Sequence, residues 1–181
     1  MQVETAPKAA PLWTDPALLV GTVLVTALHA YVFFQGEHLP YIDWPNHLGL
    51  ISVLAHGEEM GALDYLRRSF APNPYALFYF ASAALAQVLP TVTAAKVALI
   101  SVAPALALGA ADLFRRQGRD PRLGLLAPLT VFGLPLGWGF ASFVFTTPLL
   151  LISLARLEAL LVALADRGEL RAASREIALL A

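Results

Sequence analysis

Charged side chains are missing from four long stretches of this chain: Pro16–Gly36, Ser69–Ala95, Val97–Ala111 and Leu123–Ala155. The hydrocarbon core of a bilayer is about 30 Å thick, and a helix needs roughly 20 apolar residues to cross it. Backbone groups in lipid must be satisfied within their own segment, and no ten-residue alternation points to a barrel. The pattern therefore predicts an all-α, polytopic integral membrane protein with about four transmembrane helices and juxtamembrane helices in its first loop. The spans are expected at Ala17–Phe34, Thr93–Phe114, Leu123–Leu136 and Ser142–Leu161, the last two forming a hairpin.

The polar positions concentrate between the first two spans. Gln35–Arg68 holds Glu37, His38, Asp43, His47, His56, Glu58, Glu59, Asp64, Arg67 and Arg68. Within it, Asp43-Trp44-Pro45 reads as a helix start, because Asp caps and Pro is tolerated in the first turn. Leu48, Ile51, Leu54 and Ala55 then share one face, which predicts a helix at the membrane surface. Gly57 and Gly61 flank a break, a second short helix is expected over Ala62–Phe70, and Pro72-Asn73-Pro74 is a stop. Tyr75–Leu89 is apolar but short for a span. The division is thus a tail over 1–15, a helical membrane domain over 16–164 with its first loop at 35–92, and a charged tail over 165–181. An apolar run begins again at Glu176–Ala181, which is the expectation for a piece of a longer protein.

Composition agrees with the pattern. Fifty-eight per cent of the 181 residues are hydrophobic and 14% are charged, against about 25% charged in soluble domains. A net charge of −1 gives no reason to expect nucleic acid as a partner. The absence of cysteine excludes disulfides, thiolate catalysis and cysteine-ligated metals. The arginine-rich turn Arg115–Arg122 and the tail with Arg167, Arg171 and Arg175 should both be cytoplasmic. Two placements satisfy this: Tyr75–Leu89 not spanning with the N-terminus inside, or spanning with the N-terminus outside. Trp13, Trp44 and Trp138 fall near the expected interfaces.

Among the polar residues, Asp43 is the first candidate for chemistry, with capping of the following helix as its structural role. His47 lies four residues on, so the two share a helix face, where a carboxylate and an imidazole can orient one another or share a metal. Arg67 and Arg68 offer guanidinium forks suited to phosphate, or to lipid headgroups. Lys96 has the same two readings. His29, inside the first span, can hydrogen-bond a neighbouring helix or ligate a cofactor such as haem. Asp112 with Arg115 and Arg116 forms structural i,i+3 and i,i+4 pairs. The small residues of Ala81–Ala86 and Ala103–Ala111 allow close helix contact.

The layout over Pro40–Pro148 resembles the N-terminal part of the GT-C superfamily of membrane glycosyltransferases. The resemblance rests on Tyr41-Ile42-Asp43-Trp44-Pro45-Asn46-His47 in the first loop and the Pro-aromatic stretch Pro72-Asn73-Pro74-Tyr75-Ala76-Leu77-Phe78-Tyr79-Phe80. It continues with a span ending at Leu113-Phe114-Arg115-Arg116 and another near Gly133-Leu134-Pro135. It implies a Pro-aromatic segment lying on the membrane without crossing, hence an inside N-terminus and an external Asp43. It implies transfer of a sugar from a polyprenyl-phosphate donor to an acceptor hydroxyl outside the membrane, with Asp43 as catalytic carboxylate. His47, Arg67 and Arg68 would bind substrate, and Asp43 with His47 would hold a divalent metal ion. Many members carry a second acid in the next external loop, whereas Gly137–Thr147 has none. The rival expectation is a non-catalytic helical accessory subunit packed against other membrane subunits. A transporter half would want polar groups at mid-membrane, where the spans offer little beyond His29. Membrane lipid is a partner in every case, and a bacterial inner (plasma) membrane is the expected location.

Overall fold

The computed structural model describes residues 11–66 and 75–165. They form seven α-helices joined by turns and 3-10 segments, with no strand among the described residues: α1 Pro16–Phe33, α2 Trp44–His56, α3 Ala76–Leu85, α4 Thr91–Ile100, α5 Val102–Arg116, α6 Leu134–Gly137 and α7 Ala141–Ala165. Three helical runs are long and apolar enough to cross a membrane: Pro16–Phe33, Thr91–Arg116 and Ala141–Val162. These are the first, second and last of the expected spans, with ends shifted by a few residues.

Each start has a local cause. Asp15 accepts hydrogen bonds from the Ala17 and Leu18 amides, and Pro16 occupies the first turn of α1. The second run is divided at Ser101 because Pro104 lacks the N–H that the Ile100 carbonyl would need. α7 carries Pro148 without interruption.

Leu123–Leu136 differs from its expectation. Pro121–Phe132 is a 3-10 segment containing Pro128, followed by the single turn of α6, so it is not among the three long apolar helices. Gly124 lies so close to α5 that a Cβ there would come within 2.5 Å of the Ala107 carbonyl and the Ala111 amide. Small side chains at Ala103, Ala107, Ala110 and Ala111, all buried, create that approach.

α3 has ten residues, about 15 Å of helix, half of what a crossing requires. It packs on α2, α4 and α7. The residues expected to lead into it, 67–74, lie outside the described ones, so Ala62–Phe70 is seen only as the 3-10 turn Ala62–Asp64. α2 buries Trp44, His47 and Ile51, with Leu48, Leu54 and Ala55 partly buried. Trp44 corrects the aromatic-belt expectation: it is fully buried in the core, whereas Trp13 and Trp138 are exposed.

Four contacts fix which ends meet. Arg122 pairs with Asp15, joining the start of the 3-10 segment to the start of α1. Lys96 donates to the Gly36 carbonyl and lies over the Phe34 ring, joining the start of α4 to the end of α1. His29 Nε2 lies 3.0 Å from the Pro128 carbonyl, joining α1 to the 3-10 segment part-way along. His47 reaches the Gly139 carbonyl, bringing the turn after α6 to α2. The 3-10 segment with α6 therefore runs the length of α1, from the Asp15 end to the Asp43 end.

Candidate functional site

The site lies at the end of the bundle where α2, α3 and the turn between α6 and α7 converge. His47 is its centre. Its Nε2 is 2.5 Å from the Gly139 carbonyl and its Nδ1 is 2.7 Å from the Tyr79 hydroxyl. A carbonyl only accepts, so Nε2 carries the hydrogen; in the neutral ring, Nδ1 then accepts from the Tyr79 O–H. The ring is buried, edge-on to Phe78 at 5.8 Å.

Tyr79 lies half-buried on α3. Burial pushes its phenol above the usual range; the neighbouring Ser142 hydroxyl opposes this, and the Asp43 carboxylate adds a smaller upward push. Ser142, at the start of α7, is buried beside Tyr79 with an Oγ that makes no hydrogen bond of good geometry among the described residues, and the same holds for the buried Trp44 indole N–H. Burial alone pushes the neighbouring Tyr41 phenol up to about 12.

Asp43 stands in the cap position of α2, partly exposed, yet its side chain makes no cap hydrogen bond. Two features explain this. Its backbone, at φ −94° and ψ 8°, is outside the extended region that capping residues usually adopt. Gly139, at φ +91°, presses on it so closely that a Cβ on Gly139 would sit 2.7 Å from the Asp43 Cβ and 2.9 Å from its amide nitrogen. Capping as the sole role of Asp43 is thereby removed.

The expected site residues divide as follows. Asp43 and His47 are brought together on one helix turn, with the His47 amide bonded to the Asp43 carbonyl. Arg67 and Arg68 lie outside the described residues. The divalent metal implied at Asp43 and His47 does not fit: Asp43 brings a single carboxylate, and both His47 nitrogens are engaged. Among the described residues no three of His, Cys, Asp or Glu come close enough together to hold a metal. Lys96 is nearly fully buried and serves the end of α1 through the Gly36 carbonyl, a favourable place for a cation at a helix C-terminus. His29 is fully buried, with Nδ1 2.9 Å from the Val25 carbonyl and its ring stacked on Phe132. Asp112 binds Arg115 and Arg116, the latter at 2.8 Å.

Sequence reasoning missed Tyr79, Gly139 and Ser142 as site residues. Tyr79 stood inside a Pro-aromatic stretch in which one hydroxyl among many rings carries no signal of its own. Gly139 had a faint one: a second glycine flanking Trp138 in an apolar loop is the residue type a left-handed turn or a close backbone contact demands.

No family model matches the chain, and no curated protein or solved structure matches it.

Proposed function

We propose that this chain is the front membrane module of a GT-C-like glycosyltransferase, with Asp43 as the base that activates the acceptor. The observation that carries this reading is the state of Asp43: a carboxylate in the cap position that does not cap, partly exposed beside the half-buried Tyr79 and the buried His47, which hydrogen-bond one another. A carboxylate left free in that way is suited to take a proton from an incoming hydroxyl. The acceptor oxygen then bonds to the anomeric carbon from the face opposite the lipid phosphate. The bond to that phosphate breaks, the polyprenyl phosphate leaves with the electron pair, and the configuration inverts.

The same reading takes the protein through the membrane four times. A 3-10 helix rises about 2.0 Å per residue, so Pro121–Gly137 covers about 30 Å, the thickness of the hydrocarbon core. α3 stays on the surface. Arg115, Arg116, Arg119 and Arg122 then share the cytoplasmic side with Asp15, and the Asp43 end faces outward.

The test is transfer from a polyprenyl-phosphate sugar in membranes containing the native protein. Asp43→Asn should abolish transfer while leaving the helical fold and expression unchanged; retained transfer refutes the reading. A second reading, an accessory subunit, is favoured by α7, whose Phe143, Leu150, Leu157 and Leu161 are exposed. It requires partner subunits in fixed ratio after mild detergent extraction, and a chain purified alone and monodisperse counts against it.

A further inference from the structure

The first turn of α2 has one amide left for a side chain to cap. The Trp44 amide donates to the Tyr41 carbonyl, Pro45 has no N–H, and the His47 amide donates to the Asp43 carbonyl. Asn46 N–H is what remains, and Asp43 is the residue placed to accept from it. That bond is worth making, since an Asp cap contributes to helix stability wherever its geometry is available. Here it is not made.

The cause lies on the other side of Asp43. Gly139 is wedged against the Asp43 backbone and Cβ, and its carbonyl is held by His47 Nε2, whose ring is oriented by Tyr79 through Nδ1. The chain of contacts runs Tyr79, His47, Gly139, Asp43, and it ties α2, α3 and the turn before α7 into one unit. We propose that Tyr79 and His47 are positioning residues whose grip on Gly139 keeps the Asp43 carboxylate out of the cap of α2 and available to a ligand. His47 thus acts on Asp43 through a backbone carbonyl instead of through a shared metal. The catalytic use of that carboxylate rests on the function proposed above; the grip itself does not.

The experiment is amide hydrogen exchange by NMR on the full chain in detergent micelles, reading Asn46 against the other α2 amides. In the wild type Asn46 exchanges fast. In His47→Met the donor to Gly139 is gone, Asp43 relaxes into the cap, and Asn46 slows roughly five- to tenfold relative to its neighbours. In His47→Gln the side-chain amide reaches the position of Nε2 and the wild-type rate returns. Tyr79→Phe, which removes one oxygen and spares the packing, gives a smaller slowing at Asn46 and keeps the test decisive if His47→Met fails to fold.

An unchanged Asn46 rate in both His47→Met and Tyr79→Phe overturns the proposal. So does a uniform acceleration along α2, which is what a merely structural role would produce. The two readings fail separately: transfer retained in Asp43→Asn ends the catalytic reading and leaves the exchange result standing. Transfer lost in that variant, with Asn46 unmoved in the others, ends the positioning proposal alone.

Discussion

Replacing Gly139 by alanine isolates the contact on which the site is built. Its backbone is at φ +91°, where an L side chain is strained by roughly 1–2 kcal/mol. The added methyl would also sit 2.7 Å from the Asp43 Cβ and 2.9 Å from the Asp43 amide nitrogen. Those atoms belong to, or are fixed by, the backbone, so no rotamer change relieves the overlap, and such overpacking costs about 1–3 kcal/mol. Stiffening of the unfolded chain returns about 0.4–1 kcal/mol. The expected net loss is about 1–4.5 kcal/mol, or roughly 2–18 °C in melting temperature for a chain of this size. Two other glycines supply controls. Gly118 has φ +68° with nothing within 4 Å of its Cβ, and Gly137 ends α6 in open space with no positive φ. Their alanine variants should lose about 0–1.5 kcal/mol and essentially nothing, respectively. Thermal unfolding of the four proteins in one detergent checks the order. A Gly139→Ala variant within about 0.5 kcal/mol of Gly137→Ala would refute the wedge.

Three further outcomes are expected. Gly124→Ala meets backbone atoms of Ala107 and Ala111 at 2.5 Å, so it should destabilise by about 1–3 kcal/mol, read as the same shift in melting temperature. His29→Leu removes a ring whose two nitrogens face the Val25 and Pro128 carbonyls, to one of which the neutral imidazole donates, and losing that bond inside the bundle should cost about 1–3 kcal/mol; an unaffected variant would show that the fold does not depend on it. The Arg122 guanidinium holds the Asp15 carboxyl below the usual carboxylate range. A depressed acid stabilises the fold above its ordinary titration range and loses that contribution as the pH falls through its folded-state value. Asp15→Asn should therefore flatten the acid limb of the stability profile, and, because Arg122 is mostly exposed, high salt should mimic part of the effect.

The spans were legible because hydrophobic length is a property of the sequence alone. Pro16–Phe33 and Ala141–Val162 follow from uninterrupted apolar runs, and Asp15-Pro16 marks a start that any such helix needs. Leu123–Leu136 was harder, because its winding depends on a neighbour. The Gly124 contact with α5 and the Pro128 ring bias a segment that reads, by composition, like any other apolar helix. Trp44 was misplaced for a related reason: an aromatic residue at a helix start near an interface is equally at home in a belt or beneath the helix, and only packing against the core decides. At the site, Asp43 and His47 could be paired from their spacing on α2, whereas Gly139 lies more than ninety residues from either and contributes a carbonyl that every residue type possesses. A backbone acceptor leaves no mark in a sequence. The glycine that lets it approach leaves one, visible only once the facing element is known.

The two ends of this bundle are built on different physics, and that difference bears on where function lies. At the Asp15 end the polar groups are paired with one another: Asp15 with Arg122, Asp112 with Arg115 and Arg116. Every strong acid in that set has a cation, which leaves a surface suited to anchoring and to orientation by headgroups. At the Asp43 end the carboxylate has no paired cation among the described residues, and Gly139 closes against the acid instead. A carboxylate left out of the cap and without a cation gives up stabilising contacts, which is common at sites that act on a ligand. The asymmetry favours chemistry over mere packing at the Asp43 end, and it makes Asp43→Asn more informative than any change at the arginine-rich end: loss of function without loss of fold is the outcome that a purely structural polar cluster cannot produce.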